Sequence, residues 1–295
     1  MENSQLVDLT LICTINAVRY QDNRFEKWYF HSFPNVEIKI IVDGELQTSQ
    51  KHALMEFTSK IPDERLEIIY VSFSNPGQSR NEGLLLTRTK WVAFVDFDDI
   101  PNVMKYNLAI QKADGKTDVV IGRYSTSDSQ SEYKSYQVRW TGNKSRNFRI
   151  LSRNPGLWRI IWKVDVIKNL RFKNLSLGED IEFIFSSNLV LKNVEFIDMN
   201  LYEYYLNQPL QLTNKEGLIP DLIESLEAQV SRLKSEKHFR NSFNYHLIAL
   251  QYLTIMKKGS MRDRQRLARI VNFDLKIYGS LIVFGLNRMI WKVIC

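Results

Sequence analysis

Apolar runs of four to eight residues recur along the first 125 positions, each bounded by polar or turn-forming residues. Leu9–Ile15, Val36–Val42, Leu66–Val71, Trp91–Val95 and Asp118–Ile121 are nearly unbroken and rich in β-branched or aromatic side chains. Unbroken apolar strands belong to a sheet covered on both faces, which means a mostly parallel one. The stretches between them have helical spacing at Gln50–Ser59, Ser79–Thr87 and Val103–Lys112, and Leu84, Leu85 and Leu86 read as the buried face of the second. Strand, helix, strand at this interval predicts βαβ units and an α/β sandwich. Asn75-Pro76-Gly77 marks a turn before the second helix.

Farther on, the pattern changes. Ser125 to Ser131 and Thr141 to Asn147 are polar and read as surface loops. Regular structure resumes with a helix at Glu179–Leu189 and a strand around Val194–Ile197, and from Asp221 onward the pattern is helical. Two regions are expected: an α/β domain over 1–215 and a basic, amphipathic helical region over 216–295.

Composition narrows the function classes. Of 295 residues, 44% are hydrophobic and 25% charged, ordinary values for a globular protein with a sizeable core. Two cysteines at opposite ends, Cys13 and Cys295, supply no disulfide framework, and four scattered histidines supply no zinc site. Met1 to Thr10 carries Glu2 and Asp8 without Lys or Arg, unlike a secretory leader, so a cytoplasmic protein is expected. Ile277 to Asn287 is apolar and charge-free but too short to span a bilayer.

The net charge of +7 is unevenly placed. Residues 221–295 hold 13 Lys or Arg against 6 Asp or Glu, whereas residues 1–220 hold 27 of each. Lys257, Lys258, Arg262, Arg264, Arg266 and Arg269 precede the apolar stretch Leu275 to Ile294, with Phe284, Arg288, Trp291 and Lys292 in it. A basic cluster beside an amphipathic segment suits the surface of an anionic membrane. It also suits a core-packing helix with a solvated neighbour. No nucleic-acid motif accompanies the basic residues, so nucleic acid is not an expected partner.

The most informative stretch is Trp91-Val92-Ala93-Phe94-Val95-Asp96-Phe97-Asp98-Asp99, an apolar strand ending in three carboxylates. Open parallel sheets bind ligands at the carboxyl ends of their strands. Clustered carboxylates repel one another unless a cation joins them, and a hard ion such as Mg²⁺ or Mn²⁺ would do so with diphosphate oxygens completing its shell. The alternative is a solvated turn capping the helix that begins near Asn102.

Pro76-Gly77-Gln78-Ser79-Arg80-Asn81-Glu82-Gly83, a short helix, an apolar strand and Asp96-Phe97-Asp98-Asp99 together resemble family 2 glycosyltransferases, enzymes of the GT-A nucleotide-sugar-binding fold. The resemblance covers roughly residues 8 to 213. Thr14 and Asn16 match the family's opening Pro-Thr-Tyr-Asn segment, where Cys13 and Ile15 replace the proline and tyrosine. Asp43-Gly44 is similar to the turn that meets the nucleobase, and Arg80-Asn81 to the pair beside the donor nucleotide.

The resemblance therefore implies a nucleotide-sugar site of Thr14, Asp43, Arg80, Asn81 and Asp96, a Mn²⁺ or Mg²⁺ cofactor at Asp96, Asp98 and Asp99, and a donor that is UDP-linked. Leu177-Gly178-Glu179-Asp180 resembles the family's Gly-Glu-Asp element, which implies Asp180 as the base for an acceptor hydroxyl with Glu179 in support. Those acids also favour the positive end of a helix dipole. Trp158 is a candidate acceptor platform, since sugars lay C–H faces on rings. Trp158 and Trp162 are also spaced as one helical face. Tyr202-Glu203-Tyr204-Tyr205 with Thr213 is similar to a family segment that completes the sheet.

The implied activity is inverting transfer of a hexosyl or N-acetylhexosaminyl group to a glycan or lipid-linked acceptor of bacterial surface polysaccharide. Two other classes compete with it. Phe94 to Asp98 also resembles the nucleophilic motif of haloacid-dehalogenase-like phosphatases, whose distal Gly-Asp-x-x-x-Asp is missing. A non-catalytic membrane scaffold with the same fold is the other.

Overall fold

In a computed structural model of the chain, residues 8–18, 20, 36–61, 63–128, 139–206, 218–271, 277 and 279–280 are described. The first elements are β1 (Leu9–Asn16), β2 (Val36–Asp43), α1 (Thr48–Thr58), β3 (Leu66–Val71), α2 (Pro76–Leu86), β4 (Trp91–Asp96), β5 (Ile100–Pro101) and α3 (Val103–Lys112). There follow β6 (Val119–Asp128), α4 (Lys144–Leu151), β7 (Ile160–Lys163), α5 (Val164–Ile167), α6 (Glu179–Ser186), β8 (Val194–Leu206), α7 (Ile219–Ser235), α8 (Ser242–Lys258) and α9 (Met261–Val271).

The chain forms two compact units that interleave in sequence. One comprises 1–140, 156–174 and 192–211; the other comprises 141–155, 175–191 and 212–295. Residues 141–155 and 175–191, expected within the first domain, thus belong with the helical unit, where α4 packs on α8 and α6 on α7 and α8.

The first unit is an eight-stranded sheet in the order β3-β2-β1-β4-β7-β6-β8-β5. β3, β2, β1 and β4 run parallel, β7 is antiparallel to both neighbours, β6 and β8 are parallel, and β5 is antiparallel to β8. Strand alternation sorts the side chains. Leu11, Cys13, Ile15, Ile38, Ile40, Val42, Ala93 and Val95 join one core with Leu54 and Phe57 of α1 and Val103, Tyr106 and Ile110 of α3. On the other face Gly83 of α2 lies against Ile12, and a Cβ at Gly83 would fall 2.5 Å from Ile12 Cγ2. Asparagine caps start several helices: Asn75, Asn102, Asn143 and Asn241 each accept the N–H three residues on, and such caps are worth about 1 kcal/mol each.

Several expectations give way to tertiary structure. Leu85 is 57% exposed, and of the three leucines only Leu84 is buried. Trp158 and Trp162 share no helix: Trp158 lies in a short 3₁₀ turn (Leu157–Arg159) and Trp162 in β7. The polar run from Ser125 continues β6 to Asp128, because β8 pairs with it through Leu206 and supplies the ladder hydrogen bonds. Residues 129–131 lie outside the described residues. The second polar run is half helix, since Asn143 caps α4 within it. Thr213, and all but Ile277, Gly279 and Ser280 of the Ile277–Asn287 stretch, are also outside them.

In the second unit α9 buries Leu267, Ile270 and Val271 and exposes Arg262, Arg264, Arg266 and Arg269. Among the described residues no helix is long and apolar enough to cross a membrane.

Candidate functional site

The carboxyl ends of β1, β2 and β4 gather most of the expected donor residues. Parallel register places Thr14 beside Asp96, and both project to the α2 side of the sheet. Arg80 projects from α2 and its Nη2 donates to Asp96 Oδ1 at 2.8 Å, with Arg80 nearly covered and Asp96 about one-third exposed. The ring of Phe172 lies 5.6 Å from the guanidinium. Asp98 follows on the turn and is partly exposed.

Asp43 shapes the start of α2. Its Oδ1 accepts the Ser74 N–H at 2.8 Å, and its Oδ2 accepts the Asn75 N–H and the Ser79 hydroxyl, each at 3.0 Å. The close contact at Gly83 seats the helix low enough on β1 for Arg80 to reach Asp96. Asn81 has different work from that expected of it. Its carboxamide closes a two-bond pair with the Phe172 backbone, at 2.9 and 2.8 Å, and so holds the ring beneath Arg80.

Asp99 also departs from expectation. It is 3% exposed, its Oδ2 accepts the Tyr202 hydroxyl at 2.8 Å, and its Oδ1 accepts the Tyr205 N–H at 2.7 Å. Tyr202 in turn accepts the Asp96 N–H at 3.1 Å. Asp99 therefore ties the acidic turn to β8 rather than facing a metal ion. Burial pushes its carboxyl well above the usual range, and Asp98 and Asp96 add to the effect. Burial first, then neighbouring acids, raise Tyr202, Tyr106 and Cys13 as well.

Trp158, expected as a sugar platform, is 7% exposed and belongs to the core. It stacks on Tyr202 at 4.5 Å and on Tyr204 at 5.7 Å, meets Tyr124 edge-on at 4.9 Å, and its carbonyl accepts the Tyr106 hydroxyl. Sequence reasoning gives Tyr202 no role beyond completing the sheet. The Tyr-x-Tyr spacing is visible, but the bond to Asp99 joins residues 103 positions apart. Arg159 carries no local signal either: it is fully buried, lies over the rings of Tyr124 and Trp140, and burial pushes it down to about 10.

Among the described residues no three His, Cys, Asp or Glu side chains converge as metal ligands. The carboxylates of the acidic turn that reach the surface are Asp96, about one-third exposed, and the partly exposed Asp98. Such a set fits a hard cation that takes one or two carboxylates and completes its shell with substrate phosphates.

Glu179 and Asp180 belong to the second unit. Gly178 turns the chain into α6 with φ 88°, the left-handed region that favours glycine, and a Cβ there would meet Leu222 at 3.0 Å. Glu179 and Glu182 are buried, and Glu182 Oε1 accepts the Ser186 hydroxyl at 2.8 Å. Asp180 stays half-buried, and its Oδ1 accepts the Ile181 N–H at 2.7 Å. Three acids in the first turn suit the helix dipole. Of the three, Asp180 alone is not buried.

Compared with known proteins, residues 9–163 match the family model described as Glycosyl transferase family 2. The EpsH protein of Bacillus subtilis (strain 168), a putative glycosyltransferase by name, is 24% identical over 217 residues; the match spans 67% of this chain and 60% of EpsH. The crystal structure of S. aureus TarS 1–349 superposes with a TM-score of 0.65 at 13% identity, covering 93% of this chain and 81% of that one. Its complex with UDP-GlcNAc superposes with a TM-score of 0.69 at 15% identity, covering 90% and 79%. The fold is the expected GT-A sandwich followed by a helical part.

Proposed function

Because the chain belongs to glycosyl transferase family 2, we propose that it moves a hexosyl or N-acetylhexosaminyl group from a nucleoside-diphosphate donor to a hydroxyl of a glycan or lipid-linked acceptor, inverting the anomeric carbon. One observation carries the donor half of this reading. Arg80, paired with Asp96 at the carboxyl end of β4 and adjoined by Thr14 and Asp98, puts opposite charges side by side where an open sheet binds its ligand.

Arg80 offers N–H donors to phosphate oxygens, and the Asp96 pair orients its guanidinium for them. A Mn²⁺ or Mg²⁺ ion held by Asp96 and Asp98 would supply positive charge to the departing diphosphate. Asp43 keeps the loop before α2 in shape and so supports the base contact indirectly. In the second unit Asp180 takes the proton of the acceptor hydroxyl as its oxygen bonds to the anomeric carbon. The bond from that carbon to the diphosphate breaks in the same step, and its electron pair leaves with the nucleotide. Glu179 supports Asp180 from the same helical turn. The exposed arginines of α9 suit the inner face of an anionic membrane, where lipid-linked acceptors are assembled.

The test is binding against turnover, with UDP-GlcNAc, the ligand of the TarS complex, as the first donor tried. Asp98→Ala should abolish Mn²⁺-dependent UDP binding. Asp180→Asn should bind UDP normally and lose transfer. Transfer by Asp180→Asn at the unaltered rate would refute the base assignment.

A further inference from the structure

We propose that Phe73 is the surface on which the donor's nucleobase stacks, an inference that rests on the sugar-transfer reading above. The loop Ser72–Asn75 joins β3 to α2 at the carboxyl edge of the sheet. Its shape is imposed from outside. The N–H of the Phe73–Ser74 peptide and the N–H of Asn75 both donate to the Asp43 carboxylate, at 2.8 and 3.0 Å. Ser74 is held at φ 54°, a left-handed conformation that a residue with a side chain adopts at a cost. Backbone strain of this kind persists where the surroundings over-determine it, and it concentrates at ligand clamps.

What this rigid loop presents is an aromatic ring. Phe73 leaves 45% of its surface exposed, although a phenylalanine gains by burial. The ring is separated from the Asp43 carboxylate by a single peptide, and Asp43 ends the strand beside Thr14's own. The opening strand offers no alternative ring, since Ile15 is aliphatic and fully buried. An exposed ring on a loop fixed at the carboxyl edge of the sheet offers the flat face that base stacking needs. A π-face accepts any base by stacking.

Tyr70, 62% exposed, is the competing aromatic. It lines an open hollow of about 530 Å³ with Gly44, Glu45, Leu46, Lys51, Val71 and Ser72. Register places Tyr70 beside Val42, whose side chain joins the core under α1, whereas the Asp43 side chain meets Ser79 of α2. Tyr70 therefore projects to the face of the sheet opposite the Arg80–Asp96 pair, whereas the loop that carries Phe73 is bonded to Asp43, whose side chain lies on the pair's own face.

The experiment titrates UDP with Mn²⁺, and separately pyrophosphate with Mn²⁺, into the full chain and into Phe73→Ala, Phe73→Trp and Tyr70→Ala. Phe73→Ala should weaken UDP about tenfold and leave pyrophosphate affinity and thermal unfolding unchanged. Phe73→Trp should restore UDP affinity, and Tyr70→Ala should leave it intact. The proposal is overturned if Phe73→Ala binds UDP as tightly as the unaltered chain, if it loses UDP and pyrophosphate alike, or if the loss follows Tyr70 instead. An unaltered chain that binds no nucleoside diphosphate overturns the donor reading and this proposal with it, so the two failures are told apart.

Discussion

Tyr202→Phe removes one oxygen from the centre of the clamp on the acidic turn. The ring remains, and with it the stack on Trp158. Two hydrogen bonds are lost: the one donated by the Asp96 N–H at 3.1 Å, and the one given to Asp99 Oδ2 at 2.8 Å. Tyr202 is 1% exposed and Asp99 3%, so water cannot take the hydroxyl's place at Asp99. A buried polar group left without its partner costs about 1–3 kcal/mol. That cost at Asp99, which still accepts the Tyr205 N–H, together with about 1 kcal/mol for the bond from the Asp96 N–H, puts the loss at about 2–4 kcal/mol. Urea unfolding at neutral pH measures it as a fall in midpoint at constant slope. Combining the substitution with Asp99→Asn tests the cause, because residues that share a bond lose less together than the sum of their separate losses. A change below about 0.5 kcal/mol, or strictly additive effects in the pair, would refute the clamp.

Gly83→Ala would drive a methyl to 2.5 Å from Ile12 Cγ2. Overpacking of about 1–3 kcal/mol should outweigh the gain of up to about 1 kcal/mol in helix propensity, and Ile12→Ala in the same chain should reverse the sign, both read by urea unfolding. His246 responds to pH. Burial, then Arg149 and Arg153, hold it below its ordinary value, so the unfolded chain takes up the proton first. Its contribution to stability is full above about 6.5 and is lost as pH falls from there through its lowered folded value; unfolding midpoints at pH 7.5 and 5.5 should differ less in His246→Gln. At the membrane, each exposed arginine near an anionic surface is worth about 1 kcal/mol, so Arg262→Glu, Arg264→Glu and Arg269→Glu together should abolish co-sedimentation with phosphatidylglycerol vesicles. Equal sedimentation of both proteins would remove the docking idea.

Contiguous residues are enough to read most of the first unit. An apolar strand such as Trp91–Val95 declares itself because burial on both faces demands a run of β-branched and aromatic side chains in immediate succession. The Pro-Gly-x-Ser-Arg-Asn-x-Gly stretch is equally legible, since α2 needs its cap, its proline start and its glycine contact within about three turns of helix. Placement of Arg80 opposite Asp96 follows from that order of elements.

What the chain alone does not reveal is the use to which the polar side chains are put. Asp98 and Asp99 are adjacent and chemically identical. One stays partly exposed and the other is claimed by Tyr202 and Tyr205, more than 100 positions away. Trp158 reads as a sugar platform because an aromatic residue carries no local sign of whether rings from another strand will cover it, and Tyr202 and Tyr204 do. Asn81 and Phe172 are likewise joined across 91 positions. Strand and helix identity is set by neighbours along the chain, and so it is written locally. The role of a carboxylate is set by which donors reach it and how much water is excluded, and only the packed sheet decides both.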